Sequence, residues 1–159
     1  MFNFLKKNLE LLSPTDGVTF DLSQMPDPVF AQKMSGDGVA IDTTGNTFVA
    51  PADGELTFIF NTNHAYALTL DNGIEILVHI GVDTVELEGK GFKRLIEPGK
   101  KVKAGTPIIE IDRDFITSKG YCLSTPILIT NVEKLKSITP VLNTKTVAGE
   151  TSVISYKIK

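Results

Sequence analysis

Turn-forming residues interrupt this sequence so often that few segments are long enough for a helix of ordinary length. The clusters are Ser13-Pro-Thr-Asp-Gly17, Pro26-Asp-Pro28, Gly36-Asp-Gly38, Thr44-Gly-Asn46, Pro51-Ala-Asp-Gly54, Glu97-Pro-Gly99 and Lys103-Ala-Gly105. Between them lie short apolar runs, a spacing typical of antiparallel all-β folds. We therefore predict an all-β fold, an antiparallel β-sandwich or barrel of short strands. At most one or two short helical turns are expected, at residues 30–34 and 131–137.

A chain of 159 residues suits one domain with a sizeable core. We predict a short leader at residues 1–8 and a single domain over residues 9–159. The lone cysteine, Cys122, cannot form an intrachain disulfide, which favours a reducing compartment, and we expect it to be a packing residue. No apolar run is long enough for a transmembrane helix or a signal peptide, so a cytoplasmic protein is expected.

The charge balance argues against nucleic acid as a partner. The chain carries 16 basic and 19 acidic side chains, and its net charge is −3. Lysines and arginines are dispersed rather than gathered into a basic stripe. Any contact with a membrane is expected to be indirect.

The only two histidines flank one predicted hairpin. Asp71-Asn-Gly73 is a strong turn signal, with apolar runs before it at residues 66–70 and after it at residues 74–80. The second run alternates, so its even positions can enter the core while His79 points to the opposite face. His64 stands just before the first run.

The register of this hairpin decides whether the imidazoles meet. With Asn72-Gly73 as a two-residue loop, His79 faces Tyr66, and His64 lies one diagonal step away on the same face. With Asp71-Asn72 as the loop, the histidines stand directly opposite each other. A three-residue loop puts them on opposite faces, because a slip of one residue reverses every side chain. Since most simple registers bring the rings together, we expect a histidine-pair site.

Two adjacent imidazoles are suited to phosphoryl transfer. A neutral imidazole nitrogen is a good nucleophile near neutral pH and can carry a phosphoryl group. A second ring beside it can donate a hydrogen bond to the phosphoryl oxygens. Thr62 shares strand parity with His64, so its hydroxyl can fix the tautomer of that ring, although ordinary strand placement explains a threonine there equally well.

Zinc is the competing chemistry, because paired histidines on neighbouring strands suit tetrahedral coordination. A catalytic zinc usually has three protein ligands, and this chain has no third histidine. Asp83 or a partner's carboxylate would have to complete such a site. Residues 49–56 and 96–110 also resemble parts of lipoyl and biotinyl carrier domains, but the hairpin tip lacks the lysine that those carriers need.

A longer motif around His79 carries a family resemblance. Gly73-Ile-Glu-Ile-Leu-Val-His79-Ile-Gly-Val-Asp-Thr-Val85 resembles the phosphorylation-site signature of the glucose-type enzyme IIA of the bacterial phosphoenolpyruvate-dependent sugar phosphotransferase system, and every position fits. The similarity covers essentially the whole chain after the predicted leader. It includes Met25-Pro-Asp-Pro-Val-Phe30, Gly36-Asp-Gly-Val-Ala-Ile41, Thr44-Gly-Asn46, Val49-Ala-Pro51, Thr62-Asn-His64 and Gly91-Phe-Lys-Arg94.

The resemblance implies a phosphotransferase component with a phosphohistidine intermediate. His79 would accept the phosphoryl group from phospho-HPr and pass it to the cysteine of the enzyme IIB domain of a glucose-type sugar permease, which couples sugar uptake to phosphorylation. His64 would contact the phosphoryl group, and Thr62 would hold His64. The backbone carbonyl of Gly81 would accept a hydrogen bond from the other nitrogen of His79. No cofactor is required, but zinc binding through both histidines, with a third ligand from a partner, is implied for some members of the family.

Docking to HPr and to enzyme IIB needs an apolar rim with a few orienting charges. By similarity, the rim residues are Phe30, Phe60, Leu77 and Val85, and the charges are Asp27 and Asp83. Core packing is the alternative for each apolar residue. Two other functions stay open: a zinc-dependent hydrolase of related β-architecture, and a regulatory binding module whose histidines do not react.

Overall fold

The structure is a computed structural model that describes residues 9–159. Its strands are β1 (Leu9–Leu12), β2 (Gly17–Phe20), β3 (Asp37–Thr43), β4 (Thr47–Val49), β5 (Gly54–Ile59), β6 (Ala65–Thr69), β7 (Glu75–His79), β8 (Phe92–Arg94), β9 (Lys100–Val102), β10 (Pro107–Ile111), β11 (Thr125–Ile129), β12 (Leu135–Pro140), β13 (Lys145–Thr146) and β14 (Ser152–Ile158). The helices are α1 (Pro28–Ala31) and α2 (Arg113–Ser118). Single 3₁₀ turns cover Leu22–Gln24, Thr84–Leu87 and Val132–Lys134. The predicted leader at residues 1–8 lies outside the described residues.

The strands of residues 9–159 form antiparallel sheets, which confirms the predicted fold class. The largest sheet has eight strands in the order β13-β2-β3-β11-β7-β6-β5-β9. Two smaller sheets have the orders β1-β14-β12 and β4-β10-β8. The hairpin that carries His79 thus lies within the large sheet, with β11 on one side of it and β5 on the other.

The helices differ in detail from the prediction. α1 overlaps the expected turn at residues 30–34 but begins earlier, because Asp27 caps it by accepting a hydrogen bond from the Val29 N–H at 2.9 Å. The expected turn at residues 131–137 is only the short 3₁₀ turn before β12. α2 was not predicted. Ile116 is its only buried residue, so no helical periodicity shows in the sequence.

Strand β7 separates two apolar clusters. Its even-numbered residues, Ile76 and Val78, are buried in the main core, as the alternation predicted. Leu77 packs on the other face, against a smaller cluster of Leu22, Met25, Phe30, Ala40 and Leu128. His79 shares the parity of Leu77, and the strand therefore directs it away from the main core.

The hairpin between β6 and β7 has a three-residue loop. Thr69 pairs with Glu75 at the loop end, and Ala65 pairs with His79 at the far end. The Gly73 N–H donates to the Leu70 carbonyl at 2.9 Å, and Gly73 has a φ of +87°, a conformation that favours glycine. This is the register that was expected to place the histidines on opposite faces.

Candidate functional site

The two imidazoles lie side by side despite that register. Their ring centroids are 4.9 Å apart, with an interplanar angle of 81°. β6 begins at Ala65, and Asn63 before it has a left-handed φ of 60°, so His64 lies in the connecting loop. Strand alternation therefore does not govern its side chain, and the expectation that a three-residue loop separates the histidines was wrong. The Ile80 N–H donates to the His64 carbonyl at 2.7 Å and ties this loop residue to the end of β7.

The hydrogen bond of His79 fixes its tautomer. Nδ1 of His79 lies 2.9 Å from the Gly81 carbonyl oxygen, which can only accept, so Nδ1 carries the proton. In the neutral ring the free lone pair is then on Nε2. Gly81 has a φ of +81°, and a Cβ there would lie 2.7 Å from Thr84 Cγ2 and 2.8 Å from the Cys122 carbonyl oxygen. Glycine is therefore needed to bring this carbonyl to His79.

His64 is held by a hydroxyl. Oγ1 of Thr62 lies 2.5 Å from Nδ1 of His64, so the expected contact is present. Thr62 is nevertheless a turn residue and not a strand residue, so the parity argument that led to it does not apply. If the hydroxyl donates, the proton of the neutral His64 ring is on Nε2. One ring of the pair would then present a lone pair at Nε2, and the other an N–H donor.

Aromatic rings support both histidines. The Phe30 centroid is 4.9 Å from that of His79, and the Phe60 centroid is 5.3 Å from that of His64. Phe30 is only 5% exposed and belongs to the smaller apolar cluster, so it packs beneath His79. This burial favours the core-packing alternative for Phe30, whose role in a docking rim stays a prediction.

The other predicted rim residues differ in exposure. Val85 is 50% exposed and Asp83 is also exposed, so both are accessible to a partner, and Asp83 is near enough to His79 to oppose the lowering of its pKa by burial. Phe60 and Leu77 are half-buried, and Leu77 packs against the smaller cluster. Asp27, predicted as an orienting charge, also caps α1. The roles of these residues in docking remain predictions.

Phe58 is an exposed residue of the site that strand alternation did not predict. It is 50% exposed, and its ring contacts that of Phe60 at 5.1 Å between centroids. The register of β5 against β6 shifts between Leu56 and Phe58, so two consecutive side chains, Thr57 and Phe58, are exposed. A bulge of this kind breaks the alternation on which a sequence prediction depends.

The electrostatics keep both rings neutral at neutral pH. Burial lowers the pKa of His64 to about 4, and the neighbouring His79 contributes in the same direction. Burial also lowers the pKa of His79, although the Gly81 carbonyl, Asp27 and Asp83 oppose that shift. A neutral imidazole is the nucleophilic form, so the site keeps His79 ready for attack.

These pKa shifts predict that the folded protein loses stability as the pH falls from 7 to 5. The unfolded chain binds a proton at His64 near the ordinary pKa of 6.5, whereas the folded chain does so only near 4. The stabilisation is thus present above pH 6.5 and is lost as the pH falls towards 4. Between pH 7 and pH 5, proton binding at His64 lowers the free energy of unfolding by about 2 kcal/mol, and His79 lowers it further.

Urea unfolding of the wild type and of His64→Gln at the two pH values measures this contribution. We expect the variant to lose about 2 kcal/mol less between pH 7 and 5, because glutamine does not titrate. Equal pH dependence of the two proteins would contradict the burial of a neutral His64.

Two further expectations bear on the chemistry of the site. Within residues 9–159 no three His, Cys, Asp or Glu side chains come together as a metal site. Cys122 was expected to be a packing residue, but its side chain is exposed and free. Its backbone carbonyl nevertheless supports the site by accepting a hydrogen bond from the Val82 N–H at 3.0 Å.

The helices of residues 9–159 are all too short or too polar to cross a bilayer.

Comparisons with known proteins match most of this chain. A family model described as phosphoenolpyruvate-dependent sugar phosphotransferase system, EIIA 1, matches residues 9–135. The chain is 48% identical over 149 residues to the PTS system N-acetylglucosamine-specific EIICBA component of Klebsiella pneumoniae. The aligned region covers 94% of this chain and 23% of that protein. It is 41% identical over 152 residues to the PTS system glucose-specific EIIA component of Staphylococcus epidermidis, covering 96% of this chain and 92% of that one.

A solved structure agrees with these relatives. Glucose permease IIA from Mycoplasma capricolum superposes with a TM-score of 0.87 and 36% sequence identity. The match covers 95% of this chain and 97% of the Mycoplasma chain. The similarity therefore includes every sheet described above.

Proposed function

This chain belongs to the glucose-type EIIA family of the phosphoenolpyruvate-dependent sugar phosphotransferase system, and on that premise we propose that it is a phosphoryl carrier with His79 as the acceptor. In this proposal, the donor is phospho-HPr and the recipient is the cysteine of an enzyme IIB domain. The carrier works in the cytoplasm and couples transfer to sugar uptake.

One observation carries the assignment of His79. Its Nδ1 proton is engaged by the Gly81 carbonyl at 2.9 Å, so a neutral ring has its lone pair on Nε2. The supporting hydrogen bond leaves the reacting atom free and fixes the ring orientation. His64 stands 4.9 Å away between ring centroids, within range of a group carried on His79.

The transfer proceeds in two displacements. In the first, the Nε2 lone pair of His79 attacks phosphorus, the N–P bond of phospho-HPr breaks, and its electron pair returns to the HPr imidazole. In the second, a cysteine thiolate of enzyme IIB attacks the phosphorus, and the bond to Nε2 breaks with its electron pair returning to His79. The proton of His79 stays on Nδ1 throughout, hydrogen-bonded to the Gly81 carbonyl.

His64 stabilises the charge on the phosphoryl group. With Thr62 donating to Nδ1, the Nε2–H of His64 is available as a donor to a phosphoryl oxygen. Because the ring is buried, such a hydrogen bond is stronger than it would be in water. Thr62 thus acts through His64.

The relatives support an enzyme IIB partner within a membrane permease. This chain spans about a quarter of the length of the Klebsiella pneumoniae relative, whose name joins EIIC, EIIB and EIIA components. A domain fused to EIIB and EIIC in a relative is expected to serve the same components when they are separate. We extend the proposal to HPr from the family as a whole. Val85 and Asp83, both exposed in the segment that follows His79, are proposed contacts.

The proposed transfer needs no cofactor. Nε2 of His79 has a lone pair, and Nε2 of His64 would have one if Thr62 accepted a hydrogen bond from Nδ1–H, so the described residues supply at most two nitrogen ligands from this pair, fewer than the four of a structural zinc. Zinc would therefore bind with ligands from a partner, and no step of the transfer is assigned to it.

The test is to incubate the purified wild-type chain with phosphoenolpyruvate, enzyme I and HPr and then to measure its intact mass by mass spectrometry. We expect one phosphoryl group per chain that requires HPr and is lost in acid, as a phosphoramidate is. A parallel reaction without HPr is the control. If the chain stays unmodified while HPr itself is phosphorylated, the proposal is wrong.

A further inference from the structure

We propose that Arg94 is a positioning residue for His64, because it holds the loop from which Thr62 and His64 project. This inference deepens the proposed function and rests on it for its effect on transfer. Arg94 is at the end of β8, in the β4-β10-β8 sheet, whereas His64 lies in the loop between β5 and β6 of the large sheet. One side chain thus anchors the site loop to a different sheet.

The guanidinium contacts the loop at two points. Nε of Arg94 donates to Oδ1 of Asn63 at 2.9 Å, and a terminal nitrogen donates to the Phe60 carbonyl at 3.4 Å. The Asn63 N–H also donates to that carbonyl, at 2.7 Å. The side chain of Arg94 is 24% exposed, so these hydrogen bonds are partly shielded from water. Its other partner, Glu97, is 69% exposed and contributes little.

Thr62 lies between the two anchored residues. Its Oγ1 can reach Nδ1 of His64 only while the backbone of residues 60–63 keeps its turn, in which Asn63 has a left-handed φ of 60°. A loosened turn would release the hydroxyl and let the His64 ring change tautomer. The proton on Nε2 of His64, which the proposed transfer uses, would then be present in only a fraction of molecules.

Arg94 does not act on the histidines through its charge. The pKa of His64 is lowered by burial and by His79, and that of His79 is shifted by burial, Gly81, Asp27 and Asp83. Arg94 is not among these causes. Its influence on the histidines therefore passes through the position of the loop.

The chain offers a matched control in Arg113. Its Nε donates to Oδ1 of Asn46 at 3.3 Å, and its terminal nitrogen donates to the Gly45 carbonyl at 2.7 Å. That terminal nitrogen also donates to Oγ1 of Thr43 at 2.9 Å. Arg113 thus resembles Arg94 in binding an asparagine side chain and a backbone carbonyl, on a loop that bears neither histidine. Arg94→Met and Arg113→Met each remove one guanidinium group with its charge, and each keeps an apolar side chain of similar length.

The first readout is the pair of imidazole ¹⁵N signals of His64 in the unphosphorylated chain. We expect Arg94→Met to move these signals towards a mixture of tautomers, and Arg113→Met to leave them at wild-type values. The second readout is the rate of transfer from the phosphorylated chain to enzyme IIB. Arg94→Met should slow it by roughly tenfold, the effect of a misplaced supporting group, while phosphorylation of His79 still goes to completion.

Asn63→Gly removes the side-chain acceptor of Arg94 Nε and keeps a residue suited to positive φ, so it tests the proposal if Arg94→Met does not fold. We expect it to move the His64 signals in the same direction. Unchanged His64 signals in a folded Arg94→Met or Asn63→Gly chain, or an equal change in Arg113→Met, would overturn the inference. Since the spectra need no phosphorylation, they decide on Arg94 even if the wild-type chain fails the test of the proposed function.

Discussion

His79→Ala is expected to accept no phosphoryl group from phospho-HPr under conditions that fully label the wild type. The substitution removes the Nε2 lone pair, the proposed nucleophile. His64 cannot take over, because its Nδ1 is bonded to Thr62, and its Nε2 carries the proton when that hydroxyl donates. The measurement is intact mass after incubation with phosphoenolpyruvate, enzyme I and HPr, with the wild type alongside.

Folding of His79→Ala must be checked in the same samples. The alanine loses the ring contact with Phe30 and the hydrogen bond to Gly81, so a moderate fall in the melting temperature is expected. A cooperative thermal transition well above the assay temperature makes the loss of labelling attributable to chemistry. Labelling of His79→Ala to the wild-type level would refute the assignment of the acceptor.

The position of His79 could be predicted because it rests on two local signals. The turn at residues 71–73 fixed the existence of the hairpin, and the alternation through β7 fixed the face on which His79 lies. Both signals come from neighbouring residues. The burial of Ile76 and Val78 in the main core confirms the alternation.

The position of His64 could not be derived in this way. The observed register would separate the histidines if His64 were a strand residue, and the rings meet only because the chain turns at Asn63 before β6 begins. The hydrogen bonds from Arg94 that support this turn join a strand of one sheet to a loop of another, about thirty positions apart in the sequence. No periodicity reports such a contact, so only the structure reveals it.

Exposure at the site was also poorly predicted, for three physical reasons. Phe30 is buried because it belongs to a second apolar cluster on the outer face of β7, which the alternation of that strand alone does not show. Phe58 is exposed because a bulge in β5 places two consecutive side chains on the surface. Cys122 is exposed because the segment after α2 is irregular, and that helix was itself missed.

His64→Gln is expected to be phosphorylated to full stoichiometry by phospho-HPr but to pass the group to enzyme IIB roughly 10²-fold more slowly. The two steps differ in charge. Attack by the neutral His79 ring brings no new negative charge to the phosphoryl group, whereas the cysteine thiolate of enzyme IIB brings one. A fixed N–H donor from His64 offsets that charge, and the flexible glutamine side chain lacks the Thr62 hydrogen bond that fixes it.

Single-turnover transfer from each isolated phosphoprotein to enzyme IIB measures this second effect apart from acceptance. Thr62→Val provides a graded comparison: it keeps the His64 ring but frees its Nδ1, so transfer should slow less than in His64→Gln. If His64→Gln transfers at the wild-type rate, the second histidine has no part in donation. A failure of the same variant to be phosphorylated at all would instead make His64 essential to acceptance and contradict the division of labour between the two rings.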